Sequence, residues 1–223
     1  MTHDIALMEK TEMYLKAIAV IQQSGPPATT SKVADFLKIS IPAASDMLKR
    51  LMQKGLVVTE DDGGVGVTVE GRRIALQVIR RLRLAERFLT DLLSLSWEKV
   101  YDEACKFEHV LSSEVEERLA EVLKDPLSCP HGHPIPDAEG RLPFEYPATT
   151  LIDLKEGAKA TVFCVPEEDA ELLSYLSELS ILPHVHFSVK RIAPYNGPIF
   201  LRIGNTQQAV GRDVAGRIYV THT

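Results

Sequence analysis

Two short stretches of the chain concentrate side chains that bind metal ions. In Asp102-Glu103-Ala104-Cys105-Lys106-Phe107-Glu108-His109 a thiol, a carboxylate and an imidazole stand at i, i+3 and i+4. On a helix, that spacing puts Cys105, Glu108 and His109 on one face. One sulfur, one oxygen and one nitrogen donor suit a divalent transition metal, with a fourth ligand to come from another element. In Cys129-Pro130-His131-Gly132-His133, Cys129 and His131 are two places apart in a loop held by Pro and Gly, close enough to reach one ion. A thiolate-imidazole pair of Cys105 and His109 for acyl transfer, as in a Cys-His hydrolase, fits poorly. A reactive thiolate wants electropositive surroundings, and this stretch is acidic. No catalytic residue is therefore assigned, and no enzyme is expected.

These donors belong to a 223-residue chain, 45% hydrophobic and 25% charged, which is the composition of an ordinary globular protein of one large or two small domains. No apolar run approaches the roughly 20 residues of a membrane span, and the N-terminal residues include Asp4, Glu9 and Glu12 rather than a secretion signal. A cytoplasmic location with no membrane partner is expected. Three cysteines, Cys105, Cys129 and Cys164, are too few and too odd for a disulfide framework. The net charge of -6 is unevenly spread: residues 1–83 carry 12 Lys+Arg against 9 Asp+Glu, and the remainder 13 against 22. The basic end suits a polyanion and the acidic end a cation.

Apolar residues Met13, Tyr14, Leu15, Ile18 and Ile21 recur at helical steps between Lys10 and Gln23, and Ser24-Gly25-Pro26-Pro27 stops that helix. Thr29, Thr30 and Ser31 offer caps for a second, short helix, and Ser40 caps a third that ends at Gly55, with Pro42 in its first turn. Val and Thr around Asp62-Gly63-Gly64 predict a hairpin over Leu56–Val69. Three small helices and a hairpin in this order make a winged helix-turn-helix, whose third helix enters the major groove of double-stranded DNA. Long helices are expected from Val69 to about Leu95 and from Trp97 to Lys124, suited to a homodimer interface. Residues 125–150, rich in Pro, read as a linker. Beyond Leu151, strands at Ala160–Val165, His186–Ile192, Ile199–Ile203, Gln208–Val210 and Arg217–Val220 surround a helix from Ala170 to Leu179, which predicts a small SH3-like β-barrel.

Thr11-Glu12-Met13-Tyr14-Leu15, Leu84-Ala85-Glu86-Arg87-Phe88-Leu89, the stretch Asp102 to His109, and Ser113-Glu114-Val115-Glu116 resemble the diphtheria toxin repressor family of metal-dependent transcription regulators. The likeness runs to about Pro136, and the C-terminal part resembles the FeoA-type SH3-like domain. It implies residues 1–71 as a winged helix-turn-helix DNA-binding domain and 72–136 as a helical metal-binding and dimerisation domain. A linker at 137–150 and a FeoA/SH3-like domain at 151–223 would complete the chain. The implied function is a homodimeric repressor, activated by Mn(II) or Fe(II), whose operator controls metal-ion homeostasis genes.

Carried over by position, that resemblance implies one metal site of Met13, Cys105, Glu108 and His109. The family's iron-type ancillary site would need histidines where this chain has Leu82 and Tyr101, leaving only Glu86. Its manganese-type version resembles Glu86 with Cys129, His131 and a C-terminal carboxylate, chosen from Glu167, Glu168, Asp169 and Glu171 with Asp169 first. DNA contacts are expected from Thr30, Ser31, Ser40, Pro42, Ala43, Ser45, Lys49 and Arg50. Ser45 and Arg50 would meet phosphates, while Pro42 and Ala43 would meet thymine methyls. Asp46 replaces an amide and changes what can be read there. A metal-carrying accessory module for a transporter is the competing function, and it leaves the basic N-terminal region unexplained.

Overall fold

The computed structural model describes residues 2–23, 25 and 27–222, with side chains from residue 7 onward. Ser24 and Pro26, part of the expected stop after the first helix, lie outside the described residues. The chain forms two compact units: Met1–Arg81 with Pro136–Arg141, and Leu82–Ile135 with Leu142–Thr223.

The first unit holds α1 (Thr2–Gln23), α2 (Thr30–Phe36), α3 (Ile41–Gln53), β1 (Val57–Thr59), β2 (Val65–Val67) and the start of α4 (Val69–Asp91). Its first helix begins earlier than the expected Lys10, because Leu7 extends the apolar stripe by a turn and packs on the same core. Tyr14, Leu15 and Ile18 of α1, Val33 and Ala34 of α2, and Ala44, Leu48 and Leu51 of α3 are buried together. Local chemistry sets the boundaries. Thr29 caps α2 by accepting from the Lys32 amide, and Ser40 caps α3 by accepting from the Ala43 amide. The link between them turns at Lys38, with φ of 53°. Antiparallel β1 and β2 pair Val57 with Val67 and Thr59 with Val65, and Asp62 accepts from the Gly64 amide to close the turn. This is the predicted winged helix-turn-helix.

In the second unit the expected helix from Trp97 to Lys124 is two: α5 (Val100–Phe107) and α6 (Ser113–Val122). Ser112 causes the break, since its hydroxyl accepts from the Val115 amide and starts a new helix. Likewise α4 stops at Asp91, short of Leu95, where the chain turns through Ser94 at φ 56°.

The C-terminal strands are β3 (Lys159–Cys164), β4 (His186–Ile192), β5 (Ile199–Ile203), β6 (Thr206–Val210) and β7 (Tyr219–His222), with α7 (Ala170–Glu178) and α8 (Arg212–Ala215). They form an antiparallel sheet in the order β6-β5-β4-β3-β7. It is open rather than a closed barrel. The outer edge of β7 is taken by the segment before the sheet, through Thr150 opposite Tyr219 and the Leu151 amide donating to the Ile218 carbonyl. Leu172, Leu173 and Leu176 of α7 pack on Val162, Val189, Leu201 and Val220 to form the core.

The Pro-rich stretch is not a loose tether. Arg80 donates to the Pro136 carbonyl at 2.7 Å and Arg141 folds back on Asp137 in the first unit, while Phe144 and Tyr146 pack edge-on against Phe163 in the second.

Leu15 is fully buried in the first core. Leu15→Ala is expected to cost about 2–5 kcal/mol, measured as a lower midpoint of denaturant unfolding, whereas Lys49→Ala on the exposed face of α3 is expected to leave the midpoint nearly unchanged.

Candidate metal centre

Glu86 lies on α4, one turn after Arg83 on the same face, and both are almost completely buried. Cys129 and His131 come from a tight loop in which Ser128 bridges Pro134 and the Cys129 amide donates to the His133 carbonyl. Gly132 lets this loop lie against β3. Its φ is +91°, and a Cβ there would stand 2.1 Å from the Phe163 carbonyl oxygen, so no L side chain fits. The Val165 amide donates to the His131 carbonyl and ties the loop to the end of β3. Two residues on, Glu167 turns in. Donor atoms of Glu86, Cys129, His131 and Glu167 all lie within 4.8 Å of one another.

His131 donates from Nε2 to the Trp97 carbonyl at 2.8 Å, and Trp97 stacks on its ring. A carbonyl only accepts, so the proton sits on Nε2 and the lone pair on Nδ1. That nitrogen faces Glu86 Oε1 at 3.2 Å. Both Glu86 oxygens and His131 Nδ1 are buried without a hydrogen-bond partner. Two acceptors so placed need a cation or an extra proton between them. Cys129 Sγ lies 3.7 Å from Glu167 Oε2, completing a set of one sulfur, one nitrogen and two carboxylates that fits a divalent transition metal.

Burial pushes the Glu86 carboxyl above the usual carboxylate range, and nearby Glu167 adds to it. For His131 burial acts downward, but the Glu86 carboxylate outweighs it and raises the imidazole. Burial, then Glu86 and Glu167, push the Cys129 thiol well up. His133 is pulled down to about 4, chiefly by burial, and is neutral at pH 7. It donates from Nε2 to the Val165 carbonyl and accepts from the Tyr146 hydroxyl at Nδ1, bracing the loop from behind.

Of the expected ligands, Glu86, Cys129 and His131 come together. Asp169 does not join them: it caps α7 by accepting from the Leu172 amide and pairs with Arg217. Glu167 takes its place, because the chain leaving β3 passes the cluster before the cap is reached. Leu82 and Tyr101, where the iron-type site needs histidines, belong to an apolar cluster with Leu89, Val100 and Ala104. Cys105 packs beside that cluster, half-buried. Glu108 caps the end of α5 in right-handed helical geometry, its amide donating to the Ala104 carbonyl, and His109 Nε2 meets Glu108 Oε1 at 3.2 Å. Met13 lies on α1 in the first unit and is 38% exposed.

Among the expected DNA contacts, Ser31, Ser40, Pro42, Ala43, Lys49 and Arg50 are exposed, and Thr30 and Ser45 are half-buried. Asp46 is exposed on the same helix. Sequence reasoning missed Arg83, whose guanidinium donates to the Pro134 carbonyl at 2.7 Å and pairs with Glu167 at 3.5 Å. Its signal was a basic residue one turn before Glu86 on the same face of α4.

The protons held by Glu86 and Cys129 must leave when an ion binds, so metal affinity is expected to rise with pH. In the metal-free protein, Glu86 raised above 4.5 and His131 raised above 6.5 bind protons more tightly folded than unfolded. Their stabilisation is complete below those ordinary values and is lost as pH climbs through the raised ones. Thermal melts should show a metal-free Tm that falls between about pH 5 and pH 8, and a larger gain from Mn(II) at the upper end. A gain independent of pH contradicts the assignment. In Mn(II) titrations, Glu167→Gln is expected to weaken binding at least about tenfold and Asp169→Asn less than about twofold.

The iron dependent repressor N-terminal DNA binding domain matches residues 6–65, the iron dependent repressor metal binding and dimerisation domain residues 68–137, and the FeoA domain residues 149–222. The diphtheria toxin repressor of Corynebacterium efficiens is 35% identical over 222 residues, 97% of this chain and 88% of that protein. The iron-dependent repressor IdeR of Mycobacterium tuberculosis is 31% identical, across 96% of this chain and 97% of that one. Among solved structures, a manganese-dependent transcriptional repressor in complex with manganese superposes with a TM-score of 0.89 at 32% identity, covering 96% of this chain and all of that one. The manganese regulator SloR gives 0.83 at 28% identity, covering 96% and 98%. With its winged helix-turn-helix, buried donor cluster and FeoA-like sheet in this order, the chain belongs to the iron-dependent (diphtheria toxin) repressor family.

Proposed function

We propose that the chain is a transcriptional repressor, activated by Mn(II) or Fe(II), that binds double-stranded operator DNA as a homodimer in the cytoplasm and controls metal-ion homeostasis genes. The observation that carries this function is the Glu86–His131 contact, two buried acceptors that a cation between them would satisfy, in a chain of a metal-dependent repressor family. Glu86, Cys129, His131 and Glu167 are assigned as one ligand set. Met13, Cys105, Glu108 and His109 are assigned as the other on the resemblance of their sequence stretches. The ion supplies positive charge that the ligands hold in one arrangement, and it acts as an effector by favouring that arrangement. A preference of about 1.4 kcal/mol shifts populations tenfold.

The boundaries at 71, 136 and 150 divide the proposed DNA-binding, metal-binding and FeoA-like parts. Exposed Leu92, Leu93, Val110, Val115 and Val122 in the second unit support self-association, since apolar groups left at the surface in number mark an interface. Val115 and Val122 are seven apart on α6, and so on one face. No described helix is long and apolar enough to cross a membrane. On α3, Arg50 and Ser45 serve phosphates, Pro42 and Ala43 serve thymine methyls, and Lys49 with Ser31, Thr30 and Ser40 flank them.

Operator binding, read by fluorescence anisotropy, is expected with Mn(II) or Fe(II) and to vanish on chelation; binding undiminished by chelator overturns metal gating. Arg50→Ala is expected to weaken all DNA sequences alike and to reduce the slope of log K against log salt by about one.

A further inference from the structure

Arg83 is a charged side chain buried to 1% exposure within the second unit, beside the cluster and without a place among its ligands. Its terminal nitrogens donate to the Pro134 carbonyl and pair with Glu167. It is shielded from the surface, so its charge must be balanced by neighbours. An arginine does not lose its proton in a protein. It is therefore a fixed positive charge built into the wall of the metal centre.

The charges around it close on one valence. Glu86 and Glu167 contribute one negative charge each, and Cys129 a third once it ligates as thiolate. Arg83 returns one positive charge, leaving two negative. A divalent ion brings the site to zero, whereas a trivalent ion leaves one positive charge buried. Remove Arg83, and the neutral combination becomes the trivalent one.

We propose that Arg83 is the specificity-determining residue that makes the Glu86–Cys129–His131–Glu167 cluster select divalent over trivalent cations. It holds Glu167 in place and sets the valence of the buried site. This rests on the cluster being a metal site, as assigned above. For a chain that responds to iron, such a filter separates ferrous from ferric ion by charge rather than by donor softness.

Trp97, the single tryptophan of the chain, has its ring centroid 5.4 Å from that of His131, so it can sensitise the emission of Tb(III) bound at the cluster. Full-length protein is titrated with Tb(III), and Mn(II) affinity is read by displacement. The ratio of the two affinities cancels any general loss of the site. Relative to wild type, Arg83→Met is expected to shift the ratio toward Tb(III) by at least about tenfold, and Arg83→Lys, which keeps the charge, to shift it much less. The double variant Arg83→Met with Glu167→Gln removes one charge of each sign and is expected to return the ratio to wild type. Glu167→Gln alone should move it the opposite way, toward Mn(II), and decides the matter if Arg83→Met does not fold. An unchanged ratio in Arg83→Met, or in Glu167→Gln where that variant decides, overturns the proposal while leaving the metal site standing. Failure of Mn(II) to displace Tb(III) in wild type, with Cys129→Ala binding as wild type does, overturns the metal site itself and the proposal with it.

Discussion

The candidate metal centre depends on one contact, in which His131 Nδ1 and Glu86 Oε1 face each other at 3.2 Å in a buried space. Among the described residues no hydrogen-bond partner reaches either Glu86 oxygen or His131 Nδ1. The arrangement is enforced from outside: the Trp97 carbonyl takes the Nε2 proton, and the loop cannot back away because Gly132 is already pressed against the Phe163 carbonyl. Such an arrangement is costly empty and favourable when a cation lies between the two atoms. The energy that an ion would gain there is available to order the loop, the end of β3 and the last turns of α4 together.

Those elements are far apart in sequence. Glu86 precedes Glu167 by a helix pair, the Pro-rich stretch and the first strand of the FeoA-like sheet. An ion held by both closes a long loop of chain, which is where a cross-link constrains the unfolded state most. The family's histidine-based alternative cannot operate here. Leu82 is buried and Tyr101 packs beside it with Val100 and Ala104, so the place that would be polar is filled by hydrocarbon. The choice of donor cluster thus follows from where the chain places its apolar groups as much as from where it places Glu86, Cys129, His131 and Glu167.

Much of this could be read from residue order. Periodicity located α1 to α4, capping Ser40 and Thr29 marked the DNA-binding helices, and His186–Ile192 and Ile199–Ile203 were found to the residue because turn-forming residues bracket them. Three members of the cluster, Glu86, Cys129 and His131, are singled out by type and spacing combined with resemblance, and the fold brings them together. Two things could not be read this way. Asp169 and Glu167 are equivalent in composition, and only the three-dimensional path decides that Asp169 meets an amide at the head of α7 while Glu167 meets sulfur. Ser112 within Leu111-Ser112-Ser113 was a visible start signal, but a long apolar periodicity concealed that the helix restarts there.

Anomalous diffraction from crystals grown with Mn(II), recorded at the manganese edge, tests the central claim most directly. A peak is predicted among the Glu86, Cys129, His131 and Glu167 side chains, with His131 Nδ1 rather than Nε2 facing it and the ligand oxygens at about 2.0–2.3 Å. A cluster without density in manganese-saturated protein, with a proton still the only thing between Glu86 and His131, would contradict the account.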